Sequence, residues 1–380
     1  MDERSRRWIR SWSRRRSVVA ILAVVALTAG AILVVRDRGG GEPQVVVDLG
    51  PGLPEIDLHG GSYVALGDSY AAGEGVQPYE EAAGDLPLGD NCHRSMRAYP
   101  LVLNFVEPQN RDFFFACASA WIGNVLDEPQ ITDRATRRRN RFGVQGEGRL
   151  DDDTVLVTLM VGGNDAEFTD VFKFCAAPRR RSCLDDPYVD DDRDDGPYDA
   201  DDDGTLLDWA DSRLAQIEEQ LTDLFGDLRA RAGHARILVL GYPHLFPPAS
   251  VKPRSLVCRA AYFVAFQGGE RSGLRTLTDD LNAAIDRAAS ASGVEFVPTS
   301  TIFAGHEPCG RHGQWVNFIK RQGFACSREC FHPNQDGHSA FALAVACHLA
   351  TNADPSADPQ SGSAATAELT ACVREEQADL

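Results

Sequence analysis

The sequence predicts an α/β fold: a three-layer α/β/α sandwich around a mainly parallel sheet, preceded by one N-terminal transmembrane helix. Three observations carry this. Four short apolar runs, at residues 63–66, 154–161, 236–240 and 294–297, lack any helical period and read as buried strands. Between them lie two amphipathic helices. Over 208–232 the apolar residues Leu214, Ile217, Leu221, Leu224 and Leu228 fall at helical spacing, and 270–292 has the same character before Gly293. Strands alternating with helices imply crossover units, which build a parallel sheet with helices on both faces. The third observation is a charge-free stretch near the N-terminus.

That stretch runs from Val18 to Val35 and follows a cluster of seven arginines within residues 1–16. Eighteen residues at helical rise span about 27 Å, close to the thickness of a bilayer core. The arginines hold their side in the cytoplasm, so the body faces outward. A cleaved signal peptide is the rival reading. Its apolar region is usually shorter and ends at a small-x-small site. Ala29-Gly30-Ala31 fits such a site, but Ile32-Leu33-Val34-Val35 continues past it. The segment therefore reads as an uncleaved anchor; cleavage would make the protein secreted.

The formal net charge is −18 over 380 residues. Residues 1–38 hold nine arginines against three acids, a balance of +6, which leaves −24 on the remainder. So acidic a body excludes a nucleic-acid partner, which needs a basic face. The ten cysteines all lie beyond residue 90 and form no CxxC pair, which points to disulfides in an oxidising compartment.

In chain order, 36–58 is a Gly- and Pro-rich tether. The first strand ends in Tyr63-Val64-Ala65-Leu66-Gly67-Asp68-Ser69-Tyr70, a run that closes in a tight turn. Such a turn holds Ser69 at the carboxyl edge of the sheet, where α/β enzymes place ligands. Asp68 braces the turn. A second apolar run, Phe113-Phe114-Phe115-Ala116, closes in Cys117-Ala118-Ser119-Ala120, and 134–141 is a short basic patch read as a solvated loop. The run 154–161 is buried on both faces and ends in Gly162-Gly163-Asn164-Asp165. Cys175 and Cys183 bracket a small arginine-rich loop and suit a local disulfide.

Residues 185–204 form an acidic insertion. Asp199, Asp201 and Asp203 before Gly204 match the first half of a calcium loop. The closing glutamate is missing, since Ala210 holds that position, and a solvated acidic loop accounts for the same residues. Ser339 to Leu349 reads as the last helix. From Asn352 the chain reads as a loose acidic tail, with Cys372 available to Cys347.

Ester hydrolysis at neutral pH needs a nucleophile, a base that takes its proton, and donors for the developing oxyanion. The chain offers Ser69 at one strand end, Asn164 at another, and His332 near the C-terminus. Each residue alone is ordinary. Their joint occurrence in this order is the signal.

Gly67-Asp68-Ser69-Tyr70, Gly162-Gly163-Asn164-Asp165 and His332-Pro333-Asn334 resemble the first, third and fifth sequence blocks of the SGNH (GDSL) hydrolases. The resemblance covers about Tyr63 to Leu349. It is closest to the secreted bacterial lipase/esterase branch through Ala98-Tyr99-Pro100, Phe115-Ala116-Cys117, Val239-Leu240-Gly241-Tyr242-Pro243 and Gly305-His306-Glu307. It implies Ser69 as nucleophile and His332 as general base. It implies the Ser69 N–H, the Ser119 N–H and the Asn164 amide as oxyanion donors. Ser119 departs from the glycine the family has there. Glu329 stands where many members carry the aspartate that orients the histidine; other members use a main-chain carbonyl, and both arrangements stay open. The resemblance pairs Cys92 with Cys117, Cys175 with Cys183, and Cys258 with Cys309. Proximity suggests Cys326–Cys330 and Cys347–Cys372.

The expected organisation is thus a basic cytoplasmic segment (1–16), a transmembrane anchor (17–35), a linker (36–60), an SGNH hydrolase domain (61–350) and the tail (351–380). The expected activity is that of a carboxylic ester hydrolase, esterase or lipase, acting as a monomer without cofactor on a lipid, an acylated glycan or a small ester. The alternative is a catalytically impaired scaffold with a binding or structural role in the cell envelope. A calcium-binding adhesion module is the third option.

Overall fold

The computed structural model describes residues 53–79, 92–107, 113–133, 138–139, 144–177, 181–188, 204–252, 258, 266, 268–318, 321–322, 325–326, 328–351 and 367–373. The expected anchor over 17–35 and the calcium candidates Asp199, Asp201 and Asp203 lie outside these residues. Among the described residues no helix is long and apolar enough to cross a membrane, and no group of three or more His, Cys, Asp or Glu is placed to hold a metal ion.

Four parallel strands form the sheet: β1 (Ser62–Gly67), β2 (Thr154–Met160), β3 (Arg236–Leu240) and β4 (Glu295–Val297), side by side in that order. Gly67 pairs with Met160, Leu159 with Val239, and Leu240 with Val297. The apolar run at 113–115 lies along the outer edge of β1, parallel to it. It makes a single bridge, Ala65 to Phe114, with Phe115 N–H donating to the Ala65 carbonyl at 2.9 Å. The chain thus leaves β1 to one side and returns through β2 on the other. The crevice between those two strand ends is the topological switch point, where open parallel sheets bind ligands.

Around the sheet, among the described residues, lie the helices α1 (Ser69–Ala72), α2 (Phe168–Ala176), α3 (Leu206–Arg231), α4 (Gly268–Ser292) and α5 (Gln335–Thr351), with further short helices between them. α3 starts where Thr205 and Asp208 form a capping box, and it buries Ile217, Leu221, Leu224 and Leu228. α3 packs along α4. α5 packs against the short helices Tyr99–Val102 and Thr299–Ile302. Its start lies four residues before the expected Ser339, because the Asn334 side-chain oxygen takes the Gly337 N–H at 3.0 Å and serves as the cap.

Two expectations need correction. Arg138–Arg139, inside the basic patch, pairs antiparallel with Ile131–Asp133 instead of lying in a loop. The tail is docked in part: residues 367–373 are helical, Leu369 and Val373 are buried in the core, and Cys372 is bonded to Cys347. Composition reports the average polarity of the tail; two apolar side chains and one disulfide outweigh it.

Candidate active site

β1 runs straight into the site. At Gly67, φ is +126°, and a Cβ would lie 2.2 Å from the Met160 carbonyl, so only glycine fits. The Gln145 side chain clamps this strand end. Its amide oxygen accepts from Gly67 N–H at 2.8 Å, and its amide nitrogen donates to the Gly67 carbonyl at 2.9 Å. Asp68 caps α1, accepting from Tyr70 N–H at 2.9 Å. Ser69 is the first residue of that helix, so its N–H has no intrahelical acceptor.

His332 meets Ser69 from the other end of the chain. Its Nε2 lies 2.8 Å from Ser69 Oγ and its Nδ1 lies 3.2 Å from the Cys330 carbonyl. The Glu329 carboxylate points elsewhere and accepts from Gln77 Nε2 at 2.9 Å. Of the two arrangements the sequence left open, the geometry therefore has the main-chain carbonyl, with no hydrogen bond from Glu329 to the ring. Burial pushes the His332 pKa below the usual imidazole range. Glu74, the Cys330 and Arg328 carbonyls and Glu329 pull the other way without reversing the shift. The ring is neutral at neutral pH, as a base must be. The His332 loop is pinned: Tyr70 donates to the Phe331 carbonyl at 2.6 Å, and Asn317 exchanges backbone hydrogen bonds with Phe331 and His332.

The two remaining candidates sit on neighbouring loops. Asn164 follows β2, and its Nδ2 donates to the Ala120 carbonyl at 2.8 Å, leaving the second amide hydrogen for a ligand. Both Asp165 oxygens accept from Ile122 N–H at 3.2 Å, tying the same two loops. Ser119 is exposed at φ +66°, the left-handed region that glycine occupies at no cost. The departure from glycine therefore preserves the backbone conformation at a strain of about 1 kcal/mol. Ser119→Gly is expected to keep ester turnover at the wild-type level and to change stability by a gain of at most about 1 kcal/mol, because added chain entropy offsets part of the relief. Urea melts at constant m-value measure this.

Sequence reasoning names Asp68 as the brace of its turn but misses the buried partner that ties it to the neighbouring loop. Tyr242 donates its hydroxyl hydrogen to Asp68 and accepts from Gly163 N–H at 2.9 Å, joining the nucleophile turn to the Gly162-Gly163-Asn164 loop. Burial raises the Asp68 pKa to about 7, against the opposing hydrogen bonds from Tyr242 and Tyr70. Glu74 acts electrostatically on His332 and pairs with His93 at 3.1 Å. Aromatic rings wall the other side. Tyr70 packs on His332 at 5.1 Å, Phe172 stacks on Phe331 at 5.7 Å, and Phe172 meets Phe246 at a tilt at 5.5 Å. Their positions come from four separate segments, so no local periodicity signals them.

The disulfides Cys92–Cys117, Cys175–Cys183, Cys258–Cys309 and Cys347–Cys372 are present. Cys330 is also disulfide-bonded. The first of these fixes the Ser119 loop to the segment that carries His93.

With this geometry in hand, similarity to known proteins is informative. The model of the GDSL-like lipase/acylhydrolase family matches residues 65–340. Lipase 1 of Streptomyces coelicolor is 26% identical over 337 residues, which span 87% of this chain and 98% of that lipase. Lipase 2 of the same organism is 30% identical over 282 residues, 74% of this chain and 83% of that protein. Among solved structures, phospholipase A1 from Streptomyces albidoflavus NA297 superposes with a TM-score of 0.53 at 25% identity, covering 75% of this chain and 98% of the phospholipase.

Proposed function

The chain belongs to the GDSL-like lipase/acylhydrolase family, and on that premise we propose that it is an extracytoplasmic serine hydrolase that cleaves carboxylic esters through an acyl-serine intermediate. The observation that carries the proposal is the 2.8 Å contact between Ser69 Oγ and His332 Nε2 at the switch point of the sheet.

In this reading Ser69 Oγ attacks the ester carbonyl carbon while its proton passes to His332 Nε2. The oxyanion takes hydrogen bonds from the Ser69 and Ser119 N–H groups and from Asn164 Nδ2. The imidazolium then gives its proton to the leaving alkoxide, the ester C–O bond breaks, and the acyl group remains on Ser69. Water, deprotonated by the same histidine, releases the acid. The Cys330 carbonyl holds the ring through Nδ1–H, so the pair works as a dyad with a main-chain orienter, and Glu329 makes no hydrogen bond to the ring. The chemistry needs no metal or cofactor. The aromatic wall beside His332 favours an apolar acyl group, from a lipid, an acylated glycan or a small ester.

The same reading gives the organisation: a basic cytoplasmic segment, an anchor over 17–35, a linker, and an outward-facing monomeric hydrolase domain over 61–350. We read its two helix groups as the outer layers of an α/β/α sandwich. The disulfides suit an oxidising compartment.

Hydrolysis of p-nitrophenyl esters of increasing acyl length by the purified full chain tests the activity. Turnover with an initial burst of p-nitrophenol is the expected outcome, because acylation precedes a slower deacylation. A cooperatively melting protein without turnover on any ester refutes the reading.

A further inference from the structure

When His332 accepts the serine proton, a positive charge forms in a half-buried place. Its Nδ1 partner is a neutral carbonyl at 3.2 Å, and Glu329 is engaged with Gln77. Charge formed in a water-poor site is costly unless an opposite charge is already in position. A second acid has the right location.

Glu74 is only 3% exposed. It lies just past α1, with its N–H donating to the Ser69 carbonyl at 2.9 Å. The next residue, Gly75, presses on the histidine loop. At φ +110° a Cβ there would lie 3.0 Å from His332 Cβ and 2.4 Å from the Pro333 carbonyl, and Asn317 Nδ2 donates to the Gly75 carbonyl at 3.1 Å. The backbone that carries Glu74 is therefore packed directly against the base.

The hydrogen bonds around Glu74 fix its charge. Arg328 Nη1 lies 3.1 Å from His93 Nε2 and can only donate, so His93 accepts there and carries its proton on Nδ1. That Nδ1–H faces Glu74, 3.1 Å from Oε2. Tyr79 accepts from Gly75 N–H at 3.1 Å, which directs its own hydrogen to Glu74 Oε1 at 3.3 Å. Two donors on one buried carboxylate stabilise the anion. Burial alone raises the Glu74 pKa, but the His93 hydrogen bond and the basic side chains of His332, His93 and Arg328 around it bring it below the usual value.

We propose that Glu74, held as a carboxylate by the Arg328–His93 relay and by Tyr79, is the counter-charge that supports His332 while it carries the serine proton. Glu74 touches no reacting atom; it acts through His332, and the proposal rests on the Ser69–His332 mechanism above. No atom moves at Glu74 itself. The proton goes from Ser69 Oγ to His332 Nε2 and on to the leaving alkoxide, and the carboxylate stays ionised throughout.

The test compares full-length wild type, Glu74→Gln, His93→Gln and His93→Leu on one p-nitrophenyl ester across pH. The groups that act electrostatically on His332 are Glu74, Glu329 and His338. Glu74→Gln removes a negative charge that favours the imidazolium, so the base titrates at lower pH and the acid limb of the kcat/KM profile moves down. The expected result is that shift, with kcat reduced about tenfold to hundredfold and KM within about twofold. His93→Gln keeps a donor to Glu74 and an acceptor for Arg328, and retains most of the activity. His93→Leu breaks the relay and moves kcat and the acid limb in the same direction as Glu74→Gln. A folded Glu74→Gln with the wild-type kcat and acid limb overturns the proposal. If that variant fails to fold, wild-type behaviour of His93→Leu overturns it instead. Ser69→Ala run alongside separates the two readings: turnover that survives it sinks the serine mechanism and this proposal together, whereas Ser69-dependent turnover with an unmoved Glu74→Gln profile sinks only this one.

Discussion

Ser69→Ala is expected to lower ester turnover by about 10⁴-fold or more while leaving the melting temperature near that of the parent. The hydroxyl is the only group of Ser69 that the variant loses. Its backbone N–H and the α1 cap at Asp68 remain, so the fold has nothing to repair. His332→Ala is expected to cost a similar factor, because a serine hydroxyl without a base is a poor nucleophile. The double variant should be no worse than either single one, since both remove the same step. Single-turnover assays with a p-nitrophenyl ester read all three. An active Ser69→Ala would require a different nucleophile, and the Ser69–His332 contact would then be incidental.

The second large effect is expected at Asn164. Replacing an oxyanion donor costs about 10²- to 10³-fold in kcat where the donor acts on the transition state more than on the bound substrate. Asn164→Ala removes the Nδ2 donor, and also the 2.8 Å bond to the Ala120 carbonyl, which costs about 1 kcal/mol of stability. Asn164→Asp loses both donor hydrogens as well. It keeps the shape but presents a carboxylate, which repels the oxyanion, so its kcat should fall at least as far as that of the alanine variant. KM should stay within a few-fold in both. Equal losses in kcat/KM and in ground-state binding would instead make Asn164 a substrate-binding residue.

The parts of the site that local sequence could reveal are those at strand ends. The runs 63–66 and 154–161 announce strands by composition, and the turns after them carry Ser69 and Asn164. His332 came from order and resemblance rather than from periodicity. What local sequence did not reveal are contacts between distant segments. Tyr242 meets Asp68 across 174 residues, Gln145 clamps Gly67 across 78, and Arg328 reaches His93 across 235. Each contact depends on the sheet order, which no window of neighbouring residues contains. Glu74 illustrates the same point. Inside Ala72-Gly73-Glu74-Gly75 it reads as a turn residue, and only the packing of Gly75 against His332 brings it to the base. In the tail the cysteine spacing does point to the Cys347–Cys372 bond, while an acidic average conceals Leu369 and Val373, the apolar residues that dock it.

The Tyr242 phenol also governs how this sequence is free to drift. Its oxygen takes one hydrogen bond from Gly163 and gives one to Asp68. A phenylalanine at 242 orphans a buried amide and one oxygen of a buried acid together, each at about 1–3 kcal/mol. That sum is a large share of the stability of an ordinary domain. A change at 68 that cannot accept the phenol hydrogen meets the same barrier from the other side. Substitutions at the two positions are therefore epistatic. A lineage reaches a new pairing only by a coupled double change or after stabilising mutations elsewhere have made the intermediate viable. Positions 68, 163 and 242, far apart in the chain, are tied through one phenol oxygen.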